Sequence, residues 1–316
     1  PGWATDGNQS IGVPRGLELP IDDPGNLWAN FVRRAADYYG SRGVNHFIIW
    51  NEPDIEQGTY GWEFEGTLED YFQMLKVAYM AAKQVNPSAV IHLAGTTYWH
   101  DVNAGRRPFV DRLLERIRAD GGAAANNHYF DVVSLHIYFR TDTIAFIVNE
   151  HRAMLNRYGL GHKRIWINET NAAPNQDPAW PVQRPVYHVN LDQQAAFLVQ
   201  AAALSLASGV ERVAVYKLYD QGLPGGAESF GILSPADGSP RPAFYAWQMV
   251  VNQFSGVTSG QMGQTETADV VRLNMNNGQQ AFVAWARTAA DTMIAVNALS
   301  DKAYLIDQTG NTVMLD

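Results

Sequence analysis

The chain has 316 residues, a mass of 35.0 kDa and no cysteine, and its formal net charge at pH 7 is -9. The absence of cysteine excludes disulfides, thiolate metal sites and a cysteine nucleophile. The acidic balance, with no basic run, argues against nucleic acid and anionic membranes as partners. Small neutral ligands remain open as partners. No apolar stretch approaches the roughly 20 residues that a membrane helix needs.

The chain begins Pro1-Gly2-Trp3, without a methionine or a signal-type segment. We therefore expect that residue 1 is not where the gene product starts. This start leaves the localisation undecided, and nothing in the sequence indicates the oligomeric state.

From Asn26 to Phe254, helical patterns alternate with short apolar strand patterns. Asn26 is a favoured N-cap residue, and Pro87 halts the second helix. We predict strands over residues 44–50, 89–95, 130–138, 164–169 and 212–219, and helices over residues 27–40, 67–86, 108–120, 143–158, 192–208 and 242–254.

Apolar strands flanked by helices indicate a parallel sheet of the α/β class. Five strand–helix units are visible, whereas a closed (β/α)8 TIM barrel needs eight strands. We expect such a barrel over residues 1–255, from about its strand 3 onward, with the first strands upstream of Pro1. A five-stranded doubly wound sheet is the alternative, which the absence of a glycine-rich turn after any strand disfavours.

Residues 256–316 have a different pattern of short alternating segments, namely "DVVRLNM", "QAFVAWA", "TMIAVNAL" and "AYLIDQTGNTVML". Asn-Asn-Gly and Thr-Gly-Asn stand between segments as hairpin signals. We predict a small C-terminal β-sandwich domain, and the sequence leaves open whether this domain is complete.

Polar side chains stand at the ends of the predicted strands. Asn51 and Glu52 end the first strand, His136 and Tyr138 alternate at the end of the third, and Glu169 ends the fourth. Barrel residues at these ends face the active-site mouth, so we expect both glutamates to converge there. Two carboxyl groups across a small cavity are what hydrolysis of a glycosidic bond requires.

The amide of Asn51 is placed to bind the 2-hydroxyl of a sugar. His136 and Tyr138 could hold the second glutamate charged and oriented. Exposed aromatic rings suit the C–H faces of sugars, and they favour a glycan or glycoside as the substrate. The aromatic candidates for substrate binding are Trp3, Trp99 and Tyr219.

"WNEPD" at one strand end and a glutamate at the end of the strand three later resemble clan A retaining glycoside hydrolases. "HIY" and "GILSPADGSPRPAFYAWQ" are similar as well, and within the clan the chain looks most like glycoside hydrolase family 39, which includes β-xylosidases and α-L-iduronidases. The resemblance implies that Glu52 is the acid/base, that Glu169 is the nucleophile, and that no metal or organic cofactor is used. "NETN" departs from the family's usual glutamate followed by an aromatic residue.

Two other classes remain as alternatives. A catalytically silent carbohydrate-binding barrel would keep the aromatic surfaces without a working pair of carboxyl groups. A metal-dependent hydrolase is also possible on a barrel, but the sequence has no His-x-His pair and no His-Glu-x-x-His helix. Sugar identity, linkage, and exo or endo action are not encoded in these motifs.

Overall fold

The computed structural model describes residues 2–7, 9–297 and 299–315. The chain divides into two compact units. Unit 1 consists of the chain up to His136 together with Glu150–Trp166, and unit 2 consists of Ile137–Asn149 together with the chain from Ile167 onward. The predicted domain boundary after residue 255 falls inside unit 2 and stays a prediction. Within the described ranges, every helix is too short or too polar to cross a membrane.

A five-stranded sheet with the order β1-β2-β3-β4-β5 forms the α/β part of the fold. The strands are β1 (His46–Ile48), β2 (Val90–His92), β3 (Val132–Tyr138), β4 (Arg164–Asn171) and β5 (Arg212–Val215). β1 pairs in parallel with β2, and β2 pairs in parallel with β3. Each strand overlaps a segment that the sequence predicted, and β4 extends two residues beyond its predicted end at residue 169. The described residues thus supply five of the eight strands that a closed barrel needs.

Helices separate these strands, and local capping signals set their ends. The side chain of Asn26 accepts from the N–H of Ala29, and Thr67 with Asp70 forms a capping box. A second capping box joins Asn190 and Gln193. The helices are α1 (Leu27–Gly40), α2 (Leu68–Val85), α3 (Trp99–Asn103), α4 (Phe109–Arg118), α5 (Ile144–Arg157), α6 (Leu191–Ala207) and α7 (Pro242–Gln253). The sequence predicted all of them except the short α3.

In unit 1, α2 packs against α1 and α4, and its apolar face is fully buried. Tyr71 on this face joins the two strands beneath it. Its hydroxyl donates to the carbonyl of Ile49 at 3.1 Å and accepts from the N–H of Ala94 at 2.7 Å. Ile49 and Ala94 lie just beyond the ends of β1 and β2. The core of unit 1 therefore holds these two strand ends together.

Unit 2 also contains two antiparallel sheets. β6 (Val257–Gln264), β7 (Ala268–Met275) and β8 (Gln280–Ala286) form one sheet, and β9 (Ala303–Ile306) pairs with β10 (Thr312–Leu315) in the other. α6 is apolar over most of its length, and it packs against β6, β7 and α7 as well as β5. At Gly260 of β6, a β-carbon would lie 2.7 Å from Cα of Ala207, so glycine permits this close packing.

The prediction of antiparallel strands in the C-terminal segment is confirmed, while their arrangement as a sandwich stays a prediction. The predicted strand over "TMIAVNAL" is wrong for its described residues 292–297 and 299, which form no regular structure. The large apolar side chains of this segment are all exposed, namely Met293, Ile294, Val296 and Leu299, so its alternating pattern does not create a buried face.

Candidate active site

The segment after β1 stays in register with β2 as far as Glu52. The N–H of Ile49 donates to the carbonyl of His92 at 3.2 Å, and the N–H of Glu52 donates to the carbonyl of Gly95 at 3.0 Å. Asn51 forms an isolated parallel bridge with Gly95. These bonds fix the backbone of the predicted acid/base at the carboxyl end of β2.

The backbone around Glu52 is strained. Trp50 has a φ angle of 76° and Glu52 has one of 41°, in the left-handed region that residues with a β-carbon rarely adopt. Each such residue costs about 1–3 kcal/mol, and strain of this kind clusters at functional sites. The bonds to β2 and its extension hold the strained turn in place.

The side chain of Glu52 is paired with His136. Oε1 of Glu52 lies 2.6 Å from Nδ1 of His136, while the N–H of His136 donates to the carbonyl of Thr96 at 3.0 Å. The imidazole is buried, and the carboxyl group is 17% exposed. This contact orients the carboxyl group of Glu52, and the predicted role of His136 in holding Glu169 stays a prediction.

Asn51 is held by a residue that sequence reasoning missed. Its Nδ2 donates to Oε2 of Glu63 at 2.9 Å, and Nε1 of Trp50 donates to the carbonyl of the same glutamate at 3.0 Å. Glu63 lies 11 residues beyond Glu52 in a loop without a recognisable motif. The role of Asn51 in binding a sugar stays a prediction, but the orientation of its amide is fixed.

Asp54 ties the loop after Glu52 to the chain beyond β2. Its Oδ2 accepts from both the N–H and the Oγ1 of Thr97 at 2.8 Å. Burial raises the pKa of this carboxyl group, the hydrogen bonds from Thr97 oppose the rise, and the negative charge of Glu52 adds to it. Asp54 therefore anchors the strained turn from the other side.

Glu169 lies in β4 and is bound by Tyr138 of β3. The hydroxyl of Tyr138 donates to Oε2 of Glu169 at 2.6 Å. This distance is typical of a hydrogen bond from a hydroxyl to a carboxylate, which is stronger than one between neutral groups. The predicted placement of Tyr138 beside the second glutamate agrees with this bond.

Asn171 explains the unusual "NETN" sequence. Its Nδ2 donates to the carbonyls of Tyr216 and Phe230, each at 2.7 Å, and its Oδ1 accepts from the N–H of Ala172 at 2.8 Å. The second asparagine of the motif thus connects the end of β4 to the chain that follows β5.

Aromatic rings surround Tyr138 in unit 2. The Tyr138 ring lies 5.2 Å from that of Phe230, and Tyr216 lies 6.0 Å from Phe230, both edge to face. Phe230 was not predicted, because it belongs to a long loop and reaches this place only through tertiary structure. The rings fix the direction of the Tyr138 hydroxyl.

The aromatic candidates for substrate binding are distributed over both units. Trp3 is 64% exposed in unit 1, where its carbonyl accepts from Arg15. Trp99 begins α3 and packs edge to face on Tyr98, with ring centroids 5.1 Å apart. Tyr219 is exposed in unit 2, four residues beyond β5. Their contact with a sugar stays a prediction.

The residues of the Glu52–His136 pair also have metal-ligand chemistry. Nδ1 of His136 and Oε1 of Glu52, which are potential ligand atoms, are hydrogen-bonded to each other. The pair as it stands fits the handling of a proton better than the binding of a metal.

A cavity of about 320 Å³ lies in unit 1 beside the loop after Glu52. Asp54, Trp62 and Arg106 contribute to its walls, and Arg106 is paired with Asp101 at 2.7 Å. Glu52 is not among the described residues that line it. The cavity therefore does not by itself locate a substrate.

Three solved structures of glycoside hydrolases are similar to this chain in fold. The chain superimposes on a family 39 glycoside hydrolase from the gut symbiont Bacteroides cellulosilyticus WH2 with a TM-score of 0.67, at 19% identity over 99% of this chain and 62% of that one. A glucosidase from Croceicoccus marinus matches with a TM-score of 0.56, at 17% identity over 82% of this chain and 59% of that one. A monomeric β-xylosidase from Caulobacter crescentus CB15 matches with a TM-score of 0.55, at 15% identity over 83% of this chain and 53% of that one.

The chain thus spans between 53% and 62% of the length of these three proteins. No protein-family model and no curated protein sequence matches it. At such low identity the likeness concerns the fold, and in fold the chain is similar to family 39 glycoside hydrolases.

Proposed function

We propose that the protein is a retaining glycoside hydrolase in which Glu52 is the acid/base and Glu169 is the nucleophile. One observation carries the proposal. His136 and Tyr138 are two residues apart on β3, and each is hydrogen-bonded to one of the two glutamates. Side chains two residues apart on a strand point to the same face of the sheet.

In the first step, a carboxylate oxygen of Glu169 forms a bond to the anomeric carbon while the glycosidic C–O bond breaks. The proton of the Glu52 carboxyl group passes to the departing oxygen, so the aglycone leaves as an alcohol. The product of this step is a glycosyl ester on Glu169, and Glu52 is then a carboxylate.

In the second step, Glu52 takes a proton from water while the water oxygen forms a bond to the anomeric carbon. The ester bond to Glu169 breaks, and both glutamates return to their initial protonation states. The sugar leaves with the configuration that it had in the substrate.

The contacts within each unit support these roles. Tyr138 donates to Glu169, and such a bond stabilises the carboxylate form that a nucleophile needs. His136 holds the carboxyl group of Glu52 in one direction, and Glu63 holds the amide of Asn51 beside it. The bound amide of Asn51 is suited to contact a sugar hydroxyl in the transition state.

The proposed substrate is an uncharged glycan or glycoside, with Trp3, Trp99 and Tyr219 as stacking surfaces. The formal net charge of -9 makes an acidic substrate a poor electrostatic match. We further propose that β1 to β5 correspond to strands 4 to 8 of a (β/α)8 barrel, as the likeness to family 39 glycoside hydrolases suggests.

A panel of aryl glycosides tests the proposal, with release of the phenol followed by absorbance. Glu169→Gln should lose nearly all turnover on every substrate, while Glu52→Ala should keep the first step for glycosides with good leaving groups, because those need no proton. Glu266→Gln, at an exposed position of unit 2, is the matched control. Normal turnover in Glu169→Gln would remove the nucleophile assignment.

The two alternatives give different results in the same assay. A catalytically silent carbohydrate-binding barrel would bind oligosaccharides without releasing phenol from any of the glycosides. A metal-dependent hydrolase would lose activity to a chelator and regain it on addition of metal, whereas the proposed mechanism is indifferent to chelation.

A further inference from the structure

Gly95 contacts both members of the Glu52–His136 pair. It lies three residues beyond β2, where its carbonyl accepts the N–H of Glu52 at 3.0 Å. The next residue, Thr96, accepts the N–H of His136 at 3.0 Å. The two adjacent carbonyls of Gly95 and Thr96 therefore bind the backbone N–H groups of Glu52 and His136.

The missing side chain of Gly95 provides the space for the imidazole. A β-carbon at this position would lie 1.9 Å from Nε2 and 2.4 Å from Cδ2 of His136, which is far inside contact distance. The φ angle of Gly95 is outside the left-handed region, so its backbone conformation is open to any residue. Glycine is needed here for space and not for conformation.

The imidazole has little freedom to yield to a larger neighbour. His136 is 3% exposed, its backbone is bonded to Thr96, and its Nδ1 lies 2.6 Å from Oε1 of Glu52. A methyl group on Gly95 would displace the imidazole ring, or it would displace the backbone segment that binds the N–H of Glu52. Either displacement changes the position of the carboxyl group.

We propose that Gly95 is a positioning residue for the acid/base step. It acts through His136, by leaving the space in which the imidazole can orient Glu52, and this inference rests on the proposed function. A displaced acid should harm protonation of the departing oxygen much more than attack by Glu169. The effect of a substitution at Gly95 should therefore depend on the leaving group.

The test compares Gly95→Ala with the wild type on aryl glycosides of graded leaving-group acidity. We expect kcat/KM for the poorest leaving group to fall about 100-fold, as for a misplacement of about 1 Å. The fall should be much smaller for the best leaving group, which needs no proton. Gly121→Ala is the matched control, because a β-carbon there meets nothing within 4 Å and the φ angle is ordinary. A uniform fall across the series would overturn the proposal.

A double-mutant cycle with His136→Ala keeps the inference testable where Gly95→Ala folds poorly. In the His136→Ala background the imidazole is absent, so Gly95→Ala should change neither the melting temperature nor the leaving-group dependence. Equal effects in both backgrounds would contradict the role of His136. If the wild type cleaves no glycoside, the proposed function fails, while the melting temperatures still decide whether Gly95 and His136 are coupled.

Discussion

The hydroxyl of Tyr138 donates a hydrogen bond of 2.6 Å to Oε2 of Glu169. We expect Tyr138→Phe to lower kcat/KM on aryl glycosides about ten- to a hundredfold, because a hydrogen bond to a charged group is worth about 1.5–3 kcal/mol. The ring is retained in this variant, so its packing on Phe230 should persist. Tyr245→Phe, at an exposed position of α7, is the control. Unchanged kcat/KM in Tyr138→Phe would show that the bond does not support the nucleophile.

The contact between Thr97 and Asp54 predicts a loss of stability. Thr97→Val keeps the shape of the side chain but removes one of the two donors to Oδ2 of Asp54. The carboxyl group is buried, so we expect the free energy of unfolding to fall by about 1–3 kcal/mol. Urea unfolding checks this, and Thr97→Ser, which retains the hydroxyl, should lose much less.

The pH dependence of the Thr97→Val effect provides a second measurement. A protonated Asp54 is neutral and needs its donors less than a carboxylate does. Because burial raises the pKa of Asp54, protonation in the folded state begins above the usual range of an aspartate. The loss caused by Thr97→Val should therefore shrink as the pH falls. A loss that is constant with pH would indicate that the hydroxyl serves packing only.

The elements with local signals could be predicted from the sequence. Asn26 caps α1, the box at Thr67 begins α2, and Pro242 stands at the first turn of α7, each because the capping chemistry involves only neighbouring residues. The strand β6 was not predicted, since "VTSGQMGQ" has no alternating apolar pattern. It forms because β7 supplies its hydrogen bonds and α6 supplies its packing surface.

The residues of the candidate site also divide into those with a local sequence signal and those that depend on tertiary contacts. Glu52 and Glu169 could be proposed as catalytic residues because strand ends are recognisable in the sequence, and the contact of Tyr138 with Glu169 followed from their positions on β3 and β4. Glu63 was missed because it acts through a hydrogen bond to Asn51, which lies 12 residues away in the sequence. Gly95 was missed because its role is to leave room for the His136 ring. No residue pattern encodes a missing β-carbon beside a histidine 41 positions further along the chain.

The ion pair between Arg241 and Asp177 is buried in unit 2, with both side chains 3% exposed. Arg241 also donates to Oγ of Ser229 and to the carbonyl of Gly231, on either side of the Phe230 that packs on Tyr138. Arg241→Met leaves a buried carboxylate without its cation, so we expect a loss of about 3–5 kcal/mol in the free energy of unfolding.

Chemical denaturation measures the loss in Arg241→Met. The matched control is Arg140→Met, which breaks the exposed pair with Asp142 and should change the free energy of unfolding much less, because solvent screens that pair. Combining Arg241→Met with Asp177→Leu should recover part of the loss, because no unpaired charge then remains buried. Similar losses for Arg241→Met and Arg140→Met would mean that burial does not govern the first pair.

A buried histidine in unit 1 predicts how stability depends on pH. Nε2 of His92 is hydrogen-bonded to Nδ1 of His46 at 2.9 Å, and Nδ1 of His92 is hydrogen-bonded to Oγ of Ser134 at 3.2 Å. Burial lowers the pKa of His92 to about 3, and the nearby charges of His46 and Arg164 act in the same direction. The folded protein therefore keeps this imidazole neutral at pH values where the unfolded chain protonates it.

Between pH 6.5 and about 3 the unfolded state binds one proton more than the folded state at His92, so the free energy of unfolding falls as the pH is lowered through this window. His92 contributes at most about 1.4 kcal/mol per pH unit to the slope of the free energy of unfolding against pH. His92→Gln cannot take up that proton, so the stability difference between wild type and His92→Gln should narrow towards pH 3. His162→Gln, at an exposed position, should show no such narrowing. If the unfolding free energies of wild type and His92→Gln run parallel over the whole window, His92 is protonated equally in both states and the assignment is wrong.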